Sequence, residues 1–155
     1  MAETFSIVIS GVFIFVIQKI ISDIWIAPRI DFQKSLARIE VLVIRANKMF
    51  RHTEGEDNNM VTSEGIPFNQ YVKVVRKKIN LATFKLIESY NSLFFLDKIW
   101  LKIRGRHIHK SIPELLSLSV FISSKKDWKG ERAISEEKIN NISNYLKLNK
   151  DFLES

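Results

Sequence analysis

Cysteine is absent from this chain of 155 residues. Its absence excludes a disulfide framework and a cysteine-ligated zinc site, and it suits a reducing cytosol. The common enzyme motifs are absent too: there is no Walker loop, no GxGxxG, no nucleophile elbow and no HExxH. Three histidines and no cysteine leave few nucleophile–base pairs. We therefore expect a protein that is not an enzyme and that carries no cofactor and no metal.

Charge is missing from the stretch 4–18, and the apolar pattern continues to Ile26. At about 1.5 Å per residue, a helix from Phe5 to Ile26 is about 33 Å long, close to the bilayer core of about 30 Å. We expect residues 1–28 to form a transmembrane helix. A helix buried in a soluble core remains an alternative. A cleaved signal peptide is disfavoured because no basic residue precedes Lys19.

The orientation of this helix follows from the charges that flank it. Its N-terminal side offers only Glu3 and the amino group, whereas Arg29 and Lys34 follow it closely, and more basic residues come after them. Lysine and arginine near a span stay in the cytoplasm, and interfacial tryptophans such as Trp25 lie at the headgroups. We expect the N-terminus outside the cell and the following domain in the cytoplasm.

Four polar residues lie within the predicted span: Gln18, Lys19, Ser22 and Asp23. Lys19 and Asp23 are four apart and can pair on one helix face. One interpretation is that both side chains extend to the headgroups. The other is that the four residues form a polar seam between associating helices or line a pore, because intramembrane ionisable groups usually face protein or water.

Beyond Pro28, which we expect to break or kink the helix, the apolar spacing is helical throughout. We predict an all-α protein: the N-terminal transmembrane helix, a connecting or oligomerisation helix over 29–50, and a small helical cytosolic domain over 51–155. The connecting helix carries a stripe of apolar residues at helical spacing. This stripe can pack on the core of its own domain or form an interface between subunits, and the pattern fits both equally well. Its members are Leu36, Ile39, Val43, Ala46 and Phe50. Ser111 and Ser135 are predicted to cap two later helices.

The net charge of +7 indicates an anionic partner. The segment up to Pro28 holds one basic and two acidic residues, so the remainder carries +8. The densest cluster has no acid between Asp97 and Glu114, and Gly105 would let a ligand approach its backbone. Helix N-termini and arginine forks bind phosphate. The candidate ligand-binding residues here are Arg104, Arg106, His107, His109, Lys110 and Ser111. The alternative is a solvated loop, or one that lies on anionic lipids.

Two smaller clusters are further candidates. Trp128 and Lys129 lie among other cations, where an indole can stack on a base while its neighbours hold phosphates. Trp128 packed on the domain surface is the alternative. Arg51 and His52, at the end of the connecting helix, form the third candidate.

Three stretches carry a resemblance to known proteins: WIAPRIDFQKSLARIEVLVIRAN, RKKINLATFKLIESYNSL and IPELLSLSVFI. They resemble a group of small bacterial single-pass membrane proteins. More specifically, the chain is similar to the membrane-anchored effectors of type III CRISPR defence. The resemblance implies a homotetramer in the bacterial inner membrane, whose basic cytosolic domain binds the cyclic oligoadenylate cyclic tetra-adenylate and whose N-terminal helices then gate or disrupt the bilayer.

A second hypothesis is a phage-type exclusion protein or a structural membrane protein, whose basic domain binds anionic lipid or a protein partner. A membrane-tethered nuclease is least favoured because no cluster of carboxylates of the metal-binding type is apparent.

Overall fold

The computed structural model describes residues 2–52, 67–123 and 132–148 and contains only helices and short connections there. This confirms the all-α prediction for the described ranges. The helices are α1 (Ala2–Ile21), a π-helical turn (Ser22–Ile26), α2 (Ala27–His52), α3 (Phe68–Ser92), α4 (Phe95–Ile103), α5 (Ile108–Ser123) and α6 (Arg132–Leu146).

The first two helices and the π turn form one continuous rod about 75 Å long. Pro28 has no N–H to donate, and its ring crowds the carbonyl of Ile24. The wider π turn covers this crowded segment, and within it the Ala27 N–H bonds to the Ser22 carbonyl, five residues back. Of the two expectations for Pro28, a break or a kink, the break is wrong, because a π turn accommodates the proline and the helix continues.

From Ile9 to Ile26 this rod is mostly apolar and exposed. Phe13 and Phe15 are each about two thirds exposed (65% and 66%). The helix is long and apolar enough to cross a membrane: an 18-residue window has a mean hydropathy of 1.8, and none of it is buried against the rest of the chain. The alternative of a core helix does not fit, because a core helix would be covered by its own domain.

Within the described ranges, the helical domain has one hydrophobic core, formed by α2 from Phe32 onwards together with α3, α5 and α6, to which α4 adds Leu101. Phe32 is the first buried residue of α2, and Ile79, Leu118 and Ile142 are fully buried on the three other helices. All five members of the α2 stripe are buried in this core. Of the two interpretations left open for that stripe, the structure shows the own-domain core. Residues 29–50 are thus part of the domain as well as its connection to α1.

The two predicted caps are wrong. Helix α5 begins at Ile108 and α6 at Arg132, in each case three residues before the serine. Both Ser111 and Ser135 are buried, and the Ser111 hydroxyl donates to the Ile108 carbonyl (2.8 Å). The N–H groups of Lys110 and Ser111 bond to the His107 carbonyl, so the first turn of α5 is already closed before a cap at Ser111 could act.

Candidate ligand-binding surfaces

Residues 98–110, which we call the basic loop, comprise the end of α4, the turn that follows it and the start of α5. The turn determines the conformation of this segment. Gly105 has a positive φ of 73°. Its N–H bonds to the Lys102 carbonyl (3.0 Å) and the Arg106 N–H bonds to the Leu101 carbonyl (2.9 Å). This pair of bonds is a Schellman motif, which favours glycine at the left-handed position. A side chain there would also meet Lys147, with Cε at 3.3 Å. The conformation of the turn thus explains why residue 105 is a glycine, and no contact with a ligand is needed to explain it.

Three cations of the basic loop lie near aromatic rings. The Arg104 guanidinium is 3.7 Å from the ring centroid of Trp100. Lys98 Nζ is 5.5 Å from the Tyr90 ring and also donates to the Asn91 carbonyl (2.9 Å). Lys110 Nζ is 6.0 Å from the Tyr145 ring. These three charges thus each have a neighbour within the chain.

Arg106 is the one half-buried cation of the candidate set in this loop. Burial lowers its pKa from the ordinary value, and the nearby Arg104 lowers it further, while Glu40 of α2 opposes both effects. Arg104 and Arg106 are thus close enough to repel each other, and their predicted role in a shared ligand site stays a prediction. The negative charge of Glu40 compensates part of the positive charge of Arg106 and so weakens the attraction that an anionic ligand would feel at this pair.

The remaining loop candidates have contacts of their own within the domain. The His107 N–H donates to the Tyr145 carbonyl (2.7 Å), which ties the loop to α6. The His109 ring meets the Tyr90 ring edge-on, with centroids 5.2 Å apart. Ser111 is buried and bonded within α5, so its hydroxyl does not reach the surface that carries Arg104.

Four further candidates have no described side chains. Trp128 and Lys129 lie outside the described residues. Arg51 and His52 are the last two residues of α2, and only their backbone is described. The predictions for these four stay predictions.

A second basic surface, which sequence reasoning missed, lies between α2 and α3. Four cations line a groove of about 560 Å³: Arg38, Arg45, Lys78 and Lys85. Each helix contributes two cations seven residues apart, and such a spacing puts both on one helix face. The floor is apolar and consists of Ala37, Val41, Leu42, Leu81 and Ala82. We call this surface the α2–α3 groove.

The lining of the α2–α3 groove itself is basic, but the adjoining polar cavity, which Arg38 and Lys85 also line, holds the acids Asp31 and Glu88. No acid lines the groove, and none of its four cations forms an ion pair with a described residue. Val41 and Leu81 are about half exposed at its floor (49% and 56%). The groove thus offers donors for phosphate around an apolar base for a flat ring. The seven-residue spacing was the signal in the sequence, but the packing that brings the two helices together was not.

The predicted polar seam lies at and above the π turn. Lys19 Nζ and Asp23 Oδ2 are 3.4 Å apart, which confirms the predicted pairing. Gln18 is exposed, and Ser22 and Asp23 belong to the π turn. Asp23 also lines a polar cavity of about 520 Å³, which extends down α2 to Arg38 and Lys85. The π turn and the α2–α3 groove are therefore joined by one continuous hydrophilic surface.

Within the described ranges, no group of three or more histidine, aspartate or glutamate side chains is arranged to hold a metal ion. His107 and His109 thus have no third ligand there, and His109 contacts Tyr90 instead.

No protein-family model, no curated protein and no solved structure matches this chain. The functional argument therefore depends on the residues and their geometry.

Proposed function

We propose that this chain is a membrane-anchored, non-enzymatic effector of antiviral defence whose helical domain binds a cyclic oligoadenylate in the α2–α3 groove. The observation that supports the site is the set of four cations around an apolar floor. The resemblance to type III CRISPR effectors supports the ligand and favours cyclic tetra-adenylate.

The chemistry of the groove suits such a ligand. Arg38 and Arg45 can each make two parallel hydrogen bonds to one phosphate, and Lys78 and Lys85 act as compact positive charges. An adenine ring can rest on the half-exposed Val41 and Leu81. A ring with repeated phosphates also fits a symmetric assembly, in which each of four identical subunits supplies a few contacts. We therefore propose the homotetramer as the binding form.

Helix α2 is the route by which a ligand would act on the membrane. It forms one wall of the groove, and it continues through the π turn into α1 without a break. A ligand shifts a conformational equilibrium only by its differential affinity for the two states. We propose that the ligand-bound arrangement of α2 against α3 changes the π turn, where a helix is locally widened, and so changes the packing of the membrane helices.

The proposed topology places α1 across the bacterial inner membrane with its N-terminus outside. The basic residues that follow Ile26 support a cytoplasmic domain. In this topology the Lys19–Asp23 pair lies in the cytoplasmic half of the span, where it can form the polar seam between helices of different subunits.

The test is a titration of labelled cyclic tetra-adenylate into the full-length protein in lipid nanodiscs. Arg38→Gln with Lys85→Gln removes two groove cations. Lys73→Gln with Lys77→Gln is the matched control, since both residues are exposed on α3 outside the groove lining. We expect the groove variant to lose binding and the control variant to retain it.

A third variant separates the two basic surfaces. Arg104→Gln with Arg106→Gln neutralises the pair in the basic loop. If this variant loses binding while the groove variant binds normally, the ligand site is the loop and the groove assignment is wrong. If the unmodified protein binds no cyclic oligoadenylate, the ligand assignment itself is wrong.

An exclusion or structural protein is the second candidate, and one observation favours it. Phe84 on α3 is 62% exposed, close to the exposed Leu81, and a protein partner could cover this apolar area. This candidate predicts a partner whose capture is weakened by Phe84→Ser and is indifferent to added cyclic oligoadenylate.

A further inference from the structure

Helix α4 turns its apolar side outwards. Phe95, Ile99 and Ile103 repeat every four residues and are exposed, with Ile103 reaching 78%, and Leu96 and Trp100 extend the same face. The side that faces the domain carries Leu101 and an acid, Asp97, both buried. A surface helix in water normally shows the opposite arrangement. The outward face of α4 therefore requires an apolar environment.

The position of α4 indicates which environment this is. The rings of Phe94, just before α4, and Trp25, at the end of the proposed span, have centroids 6.3 Å apart. Arg29 Nε donates to Asp97 Oδ1 (2.9 Å), and the Arg29 guanidinium lies 5.1 Å from the Trp25 ring centroid. The N-terminal end of α4 is thus attached to the N-terminal rod at the level where the proposed span leaves the lipid.

We propose that α4 lies in the cytoplasmic interface of the membrane as a short amphipathic helix, with its apolar face at the boundary between headgroups and acyl chains of an anionic bilayer. The inference rests on the membrane anchoring proposed above and is independent of the ligand. It adds a second membrane contact that fixes the domain against the bilayer.

The charges around α4 match an anionic surface. Lys102 and Arg104 are exposed, and Lys98 lies on the flank of the same helix. Asp97, the one acid of α4, is turned inwards to Arg29 and so presents no negative charge to lipid phosphates. Basic residues beside an apolar, aromatic face are the composition of helices that lie in an interface, and Trp100 is a typical interfacial residue.

The loose packing of α4 also favours lipid over a second copy of the chain. A cavity of about 510 Å³ lies beside the Arg29–Asp97 contact between α4 and the start of α2, and its lining includes that pair together with the apolar Phe32, Leu96 and Trp100. The apolar face of α4 and this cavity adjoin the exposed apolar surface of the rod at Trp25. Lipid that surrounds the rod can cover both without any further interface.

The experiment uses the absence of cysteine, which lets one introduced cysteine carry a nitroxide label without background. Three full-length variants are reconstituted in phosphatidylcholine–phosphatidylglycerol vesicles: Ile103→Cys on α4, Gly11→Cys in the proposed span and Lys77→Cys on α3. A Cβ at Gly11 would meet no atom within 4 Å beyond the backbone of its own helix, and Lys77 is exposed, so both sites tolerate a label. Collision of each label with oxygen, which concentrates in lipid, and with a water-soluble nickel chelate is then measured.

We expect the labels at 103 and 11 to collide mainly with oxygen and the label at 77 mainly with nickel. If position 103 matches position 77 while 11 stays protected from nickel, the inference about α4 is overturned and the anchor stands. If both collision rates are low at 103, protein and not lipid covers α4, which also overturns the inference. If position 11 itself collides with nickel, the anchoring fails, and the inference fails with it. Ile99→Cys, on the same face, repeats the test should Ile103→Cys fold poorly.

Discussion

Removing two cations from the α2–α3 groove should weaken cyclic oligoadenylate binding and also reduce its salt dependence. A hydrogen bond to a charged group contributes about 1.5–3 kcal/mol. Loss of one such contact at Arg38 and one at Lys85 in a single subunit therefore costs about 3–6 kcal/mol, which is about 100-fold to 10⁴-fold in affinity. All four subunits of the proposed tetramer carry the change, so we expect a loss of at least about 100-fold. Gln is chosen because it keeps a polar side chain at both positions and removes the charge.

The salt dependence of the binding constant reports how many phosphates of the ligand the protein neutralises. For single strands, log K falls with log salt by about 0.7 per neutralised phosphate, which gives a slope of about −2.8 when all four phosphates of cyclic tetra-adenylate are neutralised and about −1.4 when the groove variant neutralises only half of them. Between 50 and 200 mM salt, the unmodified protein should lose about 50-fold in affinity and the groove variant about 7-fold.

The assay is fluorescence anisotropy of labelled cyclic tetra-adenylate with the full-length protein in nanodiscs, at three or more salt concentrations. Lys73→Gln with Lys77→Gln changes the net charge by the same amount, so it corrects for the general attraction of the domain. If the groove variant and this control show the same slope as the unmodified protein, the four groove cations do not contact phosphates and the reasoning is refuted.

Three further predictions concern the fold, each checked by denaturant or thermal unfolding of the detergent-solubilised protein. Gly105→Ala should lower the free energy of unfolding by about 1–2 kcal/mol, because residue 105 has a positive φ that favours glycine. Lys147→Gly should raise it slightly, because Lys147 has a φ of 54°, and a change in the same direction for both variants would contradict this reasoning. Leu118→Ala should cost about 3–5 kcal/mol because Leu118 is fully buried, and a cost below 1 kcal/mol would contradict its place in the core. Arg29→Gln should destabilise by leaving the buried Asp97 without its partner, and adding Asp97→Asn should recover part of the loss; strict additivity of the two changes would contradict the ion pair.

The helices and the core were readable from the sequence because burial repeats with the helical period. Leu36, Ile39 and Val43 were identified as one stripe, and all three are buried. The stripe alone did not show what covers it, since an own-domain core and a neighbouring subunit need the same side chains. The packing of α3 against α2 decides between them, and that information is non-local.

Serine was the least reliable signal. Ser111 and Ser135 precede apolar runs and resemble caps, yet both lie inside helices in the core. A buried serine can satisfy its hydroxyl on a carbonyl three or four residues back, as Ser111 does on Ile108. A cap and such a back-bonded serine look alike in sequence, so helix starts were predicted one turn too late.

The orientation of α4 was unreadable for a different reason. Its amphipathic pattern is plain in the sequence, but an acid such as Asp97 normally faces water. Here Arg29, 68 residues earlier, meets Asp97 on the inner side and leaves the aromatic face outside. The same is true of the α2–α3 groove, where pairs of cations are visible on each helix and only the fold combines them.

The most direct test of the central claim, that the N-terminal rod anchors a basic domain in the membrane, is extraction of the membrane fraction from cells that express the full-length protein. After a wash with alkaline carbonate, which releases peripheral proteins, the account predicts that the chain stays in the pellet until detergent is added. Release of the chain into the aqueous supernatant would contradict the account.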